Sequence, residues 1–215
     1  MIELIDYCGS DASVANAARV SFSSFENWNT VPEGYTEERA HKLINYLAGH
    51  KHMTPFRHQY ITLKCKAPIF IARQLGKHQV GLSWNEVSRR YVKGQVEFHT
   101  PETWREAPDG SIKQGSAGTH PESGRFADSY TKVVAACTTL YTIMLEEGVA
   151  PEQARMVLPQ SMLTEWVWSG SLLAFAHIYN ERSAPGAQVE CQEFAKELNA
   201  IIYELFPVSW GALTK

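Results

Sequence analysis

The sequence predicts an α+β fold with a small sheet and long helices. Three observations carry this. Period-two alternation appears in two short stretches only. Helical periodicity dominates the second half of the chain. The elements follow one another as helix, strand, helix, loop and long helices, without the regular strand–helix alternation of a parallel α/β sheet. The 215 residues, 44% apolar and 20% charged, fit one domain spanning 1–215 with enough apolar material for a core.

A first helix starts near Ser10 and runs through "ASVANAARVSF". A clearer one is "TEERAHKLINYLAGH": Thr36 is placed to cap it, Glu37 and Glu38 suit the positive end of its dipole, and Ala40, Leu43, Ile44 and Leu47 share a face. From Tyr60 the period changes to two. Ile61, Leu63, Cys65 and Ala67 alternate with Thr62, Lys64 and Lys66, as in a half-buried strand. Pro68 opens a short helix, "PIFIARQLGKH". Residues 99–125, rich in Pro, Gly, Ser and Asp, read as a long loop insert. The strongest helix follows, its stripe running from Phe126 through Val133, Cys137 and Leu140 to Leu145 and ending at Gly148; such a stripe belongs to a core or to a subunit interface. "PEQARMVLP" predicts a short helix, "SMLTEWVWSG" a strand and "SLLAFAHIYNERS" a helix. The last helix covers roughly 187–205 and stops at Pro207.

Composition excludes several functions. The net charge of −3 gives no global attraction to nucleic acid or an anionic membrane, so any anion site is local. Cys8, Cys65, Cys137 and Cys191 are scattered with no CxxC, which removes the zinc-knuckle and dithiol readings. No signal peptide or membrane-length apolar run is visible, which predicts a cytoplasmic protein, or one of the host cytoplasm if viral. His50, His52 and His58 invite a metal reading, but HExxH is absent and no carboxylate lies among them, so no metal is expected. GxSxG, GxGxxG and GxxxxGK[ST] are also absent. A nucleotide site here must rest on arginines, whose planar forks match phosphate.

The stretch "KHQVGLSWNEVSRRY" at 77–91 offers them. Arg73, Lys77, His78, Arg89 and Arg90 converge if the chain folds back after the preceding helix, and Gln74, Asn85, Glu86 and Ser88 are suited to reading a base edge. The alternative is a solvated charged face. Trp84 fits stacking or packing. Arg155 and Arg182 fit either half-buried anion ligands or helix-end charges, and spacing does not decide between them.

"TPFRH" at 54–58, "APIFIARQ" at 67–74, "WNEVSRRY" at 84–91, "ARMVLPQSMLTEW" at 154–166 and "SLLAFAHIYNERSAPGAQVE" at 171–190 together resemble the flavin-dependent thymidylate synthases. "WREAPDGSIKQGS" looks like an insert of one branch of that family. The resemblance implies the thymidylate synthase-complementing protein fold, with a twisted, mainly antiparallel sheet. It implies reductive methylation of dUMP to dTMP, with methylenetetrahydrofolate as carbon donor, FAD reduced by NADPH, and a homotetramer with shared active sites; nucleic acid and membrane are not implied partners. By position, Gln74, Lys77, Glu86, Val87, Ser88, Arg89, Arg90, Arg155 and Arg182 match dUMP-binding positions. Arg182 is the one credited with favouring the ionised uracil ring. Thr54, Lys77, His78, Gln79, Glu86, Ser171 and His177 match FAD contacts, and His52 and Tyr91 the folate and flavin face. The family signature begins Arg-His-Arg; here it is Lys77-His78-Gln79, and Leu173 stands where many members have arginine. A related C5 hydroxymethylase, an enzyme of another pyrimidine nucleotide, and a non-catalytic nucleotide- or RNA-binding protein are the rival readings.

Overall fold

The computed structural model describes residues 1–22, 27–92, 94–108, 110 and 115–214. Part of the "WREAPDGSIKQGS" insert, Asp109 and residues 111–114, lies outside the described residues. The sheet has four strands, β1 (Ile2–Cys8), β2 (Tyr60–Pro68), β3 (Leu82–Glu86) and β4 (Leu163–Ser171), in the spatial order β1-β2-β4-β3 with every neighbour antiparallel. The helices are α1 (Asp11–Arg19), α2 (Glu37–Gly49), α3 (Ile69–Leu75), α4 (Ser123–Glu146), α5 (Pro151–Ala154), α6 (Leu172–Arg182), α7 (Val189–Leu205) and α8 (Pro207–Leu213). None of them is long and apolar enough to cross a membrane.

The alternation in β2 and β4 sets one core face. Register places Leu63 opposite Trp168 and Cys65 opposite Trp166, and all four are buried. The opposite face is polar: Thr62 Oγ1 and Ser169 Oγ lie 3.0 Å apart across the same pair. β3 adds Trp84 to the core face, opposite Trp168 in register and stacked on Trp166 with ring centroids 4.3 Å apart, so this indole packs. Phe175 of α6 and Phe194 of α7 close over the tryptophans. Gly170 lies where β3 begins: a Cβ built there would stand 2.5 Å from Leu82 Cδ2 and 2.8 Å from the Gly81 carbonyl oxygen. Gly81 itself turns the chain into β3 at φ +73°, a conformation that side-chain-bearing residues rarely adopt.

Caps fix the helix ends. Ser10 and Ser13 form a reciprocal capping box at α1, and Thr36 Oγ1 accepts from the Arg39 N–H at α2. Asp11 accepts hydrogen bonds from the Val208 and Ser209 N–H groups at 2.9 and 2.8 Å, capping α8 from the far end of the chain. Pro207 therefore ends α7, as expected, and also opens a further helix that the sequence pattern did not predict.

Two other features differ from expectation. β1 and β3 had no clear sequence signal. The apolar stripe of α4 is turned outward: among its residues only Tyr141 is fully buried, Cys137 is half-buried, and Phe126, Val133 and Leu140 are exposed. Of the two alternatives for that stripe, the protomer core is the one this packing removes.

Candidate functional site

The C-terminal ends of α3 and α6 meet beside the sheet. Arg182, the last residue of α6, donates from Nε to His78 Nε2 at 3.0 Å. An arginine only donates, so His78 accepts at this nitrogen and is neutral, its proton on Nδ1. Burial, then the Arg182 charge, hold His78 below the ordinary histidine value of 6.5; Glu181 opposes and His177 assists. The unfolded chain thus binds more protons than the folded one between that lowered value and 6.5, and stability rises with pH across this window. Wild type is expected to lose stability relative to His78→Gln as pH falls from about 7 to about 5. Parallel denaturant midpoints for the two proteins over that range would contradict this.

A polar cavity of 610 Å³ adjoins this junction, lined by Gln74, Arg182, Gln188, Arg105, Ser116 and small residues at 115, 186 and 187. Its wall is hydrogen-bonded. Gln74 Nε2 donates to Gln188 Oε1 at 2.5 Å, and the Cys191 thiol donates to Gln74 Oε1 at 3.4 Å. Cys191 is fully buried behind this wall. Burial pushes its thiol up, Arg182 opposing and Glu190 assisting, which disfavours a thiolate.

A second cavity of 560 Å³ is lined by the Lys77-His78-Gln79 segment together with residues of α3 and β3. Arg73, Lys77, His78 and Gln79 supply cations and donors, Ile69, Leu82 and Trp84 an apolar wall, and Glu86 an acid. Glu86 is fixed by accepting from Thr164 Oγ1 at 2.7 Å and Trp84 Nε1 at 3.3 Å. This donor set fits a ligand carrying both phosphate and a flat ring system.

A family model described as thymidylate synthase complementing protein matches residues 3–208. The chain belongs to this family. The flavin-dependent thymidylate synthase of Thermus thermophilus is 37% identical over 211 residues, covering 98% of this chain and 74% of the relative. That of Thermotoga neapolitana is 35% identical over 214 residues, covering 100% and 90%. Among solved structures, the UMP/dUMP methylase PolB of Streptomyces cacaoi bound with 5-Br dUMP superposes with a TM-score of 0.88 at 29% identity, covering 100% of this chain and 94% of that one. The same methylase bound with 5-Br UMP gives 0.84. The chain is accordingly an enzyme of the flavin-dependent thymidylate synthase family, with the antiparallel sheet and flanking helices expected of it.

Within one protomer of this family member the candidate residues fall into groups. Gln74 and Arg182 share the first cavity; Lys77, His78, Gln79 and Glu86 share the second. Val87 and Arg89 line a separate recess of 330 Å³ beside Glu97 and Glu165. There the Arg89 guanidinium is bound to the Gly94 and Gln95 carbonyls at 2.7 and 2.9 Å. Ser88 Oγ accepts from the Arg90 N–H, and the Arg90 guanidinium lies 5.0 Å from the ring centre of exposed Tyr91. Arg155 is an exposed helix-end charge, donating from Nε to the Glu152 carbonyl at 3.3 Å. Thr54 opens the turn Thr54–Arg57 and, like His52 and His177, is exposed. Ser171 is buried as the N-cap of α6, accepting from the Ala174 N–H at 3.2 Å. Of the residues that do line the first cavity, Arg105, Ser116 and Gln188 were not singled out from sequence. Among the described residues, no cluster of three or more His, Cys, Asp or Glu is arranged to hold a metal ion.

Proposed function

We propose that this protein methylates C5 of dUMP to give dTMP, with methylenetetrahydrofolate as carbon donor and FAD, reduced by NADPH, as the redox cofactor. The observation that carries this reading is the meeting of Gln74 and Arg182, the latter held by His78, at a polar cavity whose described lining holds no cysteine, in a fold matched by a methylase solved with 5-Br dUMP. Uracil C5 is a weak nucleophile. With Cys191 buried and its thiol pushed up, and with Ser88 Oγ accepting from the Arg90 N–H rather than donating to a base among the described residues, activation falls to electrostatics. Arg182, positioned by His78, is the group to stabilise negative charge developing on the pyrimidine. Gln74, held by Gln188, orients the nucleotide. Arg73, Lys77, His78 and Gln79 would hold FAD in the second cavity, and when bound it supplies the reducing equivalents that complete the methyl group. Lys77 in place of the family's arginine keeps a cation there without the planar fork.

We further propose a homotetramer with shared sites. The exposure of Arg90 and Arg155, away from both cavities, and the outward apolar stripe of α4 support it. UMP is a second reading of the substrate, favoured by the likeness to a methylase solved with 5-Br UMP as well.

The purified protein is expected to show flavin absorption bands, and to oxidise NADPH faster when dUMP and methylenetetrahydrofolate are present. Mass spectrometry of the product separates methyl from hydroxymethyl, and parallel assays with UMP separate the two substrates. A protein that neither binds flavin nor oxidises NADPH in response to either nucleotide would overturn the enzyme reading in favour of a binding protein.

A further inference from the structure

We propose that Arg105, carried by the segment between β3 and α4, binds the 5′-phosphate of the nucleotide in the cavity it shares with Arg182; this rests on the nucleotide reading above. Arg105 lines the 610 Å³ cavity together with Gln74, Arg182 and Gln188, and no carboxylate lines that cavity among the described residues. A polar cavity with two guanidiniums and, among the described residues, no acid in its lining suits an anion. The Arg105 side chain is held from behind. Nε donates to Ser116 Oγ at 2.8 Å, and one terminal nitrogen donates to Glu190 Oε1 at 2.5 Å. These bonds draw on two of the five N–H donors of a rigid fork. Glu190 is well placed as the anchor. It sits in the first turn of α7, where the helix dipole favours an acid, and its side chain is only 11% exposed. Burial acts to raise its carboxyl, but the bonds from Arg105 and the flanking backbone, with Gln188 alongside, outweigh this and leave it below the ordinary value.

Ion pairs near a surface usually contribute little to stability. A partly buried pair that ties residues 105 and 190 together, 85 positions apart, at the wall of a polar cavity points instead to the fixing of a guanidinium in place. Arginine pre-positioned by a carboxylate loses little freedom when it meets phosphate, which is how such a contact contributes affinity.

The test is steady-state kinetics of the FAD-loaded enzyme with dUMP, with inorganic phosphate as a competing probe and thermal melting as a check on folding. For Arg105→Gln the KM for dUMP is expected to rise about tenfold or more, with kcat within a few fold. The inhibition constant of phosphate should rise with it, and the melting temperature should stay near that of wild type. An unchanged KM overturns the proposal. So does a raised KM with unaltered phosphate inhibition, which would place Arg105 on another part of the nucleotide, and so does a variant that loses melting temperature alone, which would leave Arg105 as a loop tether. Where Arg105→Gln does not accumulate folded, Arg105→Lys keeps the charge but loses the fork; a rise in both constants supports the proposal and no rise in either overturns it. A wild-type enzyme without nucleotide-dependent turnover would sink the parent reading, an outcome distinct from each of these.

Discussion

Arg182→Ala is expected to lower dUMP-dependent turnover by roughly a hundredfold to a thousandfold, the usual consequence of removing a preorganised group aimed at developing charge. On the proposed reading, Arg182 stands where negative charge appears on the pyrimidine. Its own Nε is tied to His78 and its guanidinium lines the nucleotide cavity, so it is held in place before substrate arrives. The loss should fall on kcat more than on flavin binding, because the cationic and apolar lining of the second cavity is left intact. Cys191→Ala is the companion experiment. It removes the one thiol near this cavity and is expected to retain activity within several-fold, since that thiol is buried and its thiolate disfavoured. Equal inactivity of the two variants would show that the chemistry runs through sulfur.

Trp168→Ala is expected to be the most destabilising single change, by about 3–5 kcal/mol. Its indole is fully buried at the centre of the sheet face, with ring centroids 5.4 Å from both Trp84 and Phe175 and 6.4 Å from Trp166 and Phe194. Truncation would open a cavity bounded by side chains of β3, β4, α6 and α7. Trp168→Phe provides the contrast. Trp168 Nε1 has no hydrogen-bond partner among the described residues, so phenylalanine removes a buried orphan donor while keeping most of the aromatic contact. It should cost well under half as much as alanine. Guanidinium midpoints of the three proteins measure this, and an alanine variant as stable as wild type would refute this account of the core.

The sequence spelled out the parts of this fold in which one face is buried and the other wet. β2 and β4 alternate because they are the inner strands, and the periodic helices are the ones that cover them. β1 was not legible because it is an edge strand whose second half, including Ile5 and Tyr7, is exposed and so carries no apolar alternation. β3 has only five residues, and its apolar alternation is limited to Leu82 and Trp84, both only partly buried. Local signals were legible, a helix start near Ser10 and a cap at Thr36, but not the long-range cap by which Asp11 reaches α8. The site divides in the same way. Gln74 and Arg182 stood out through motif resemblance and do share a cavity. Arg105 lies in a segment of Pro, Gly and Ser without periodicity, and its place in the cavity wall is tied to a partner 85 residues away, which no local pattern encodes. The exposed arginines at 90 and 155 looked like site residues in sequence, yet one protomer does not gather them.

The close approach at Gly170 has an evolutionary consequence. A methyl group there would collide with the Leu82 side chain and with the Gly81 carbonyl. A smaller residue at 82 relieves the first collision, but no substitution trims a main-chain oxygen. Positions 170 and 82 are therefore only partly able to compensate for each other, and variation at 170 is coupled to the path of the chain that carries Lys77 and His78 into β3. A library randomised along β4 should recover glycine at this one place even from clones selected for folding alone, which makes position 170 a point of sequence constraint that no catalytic role is needed to explain.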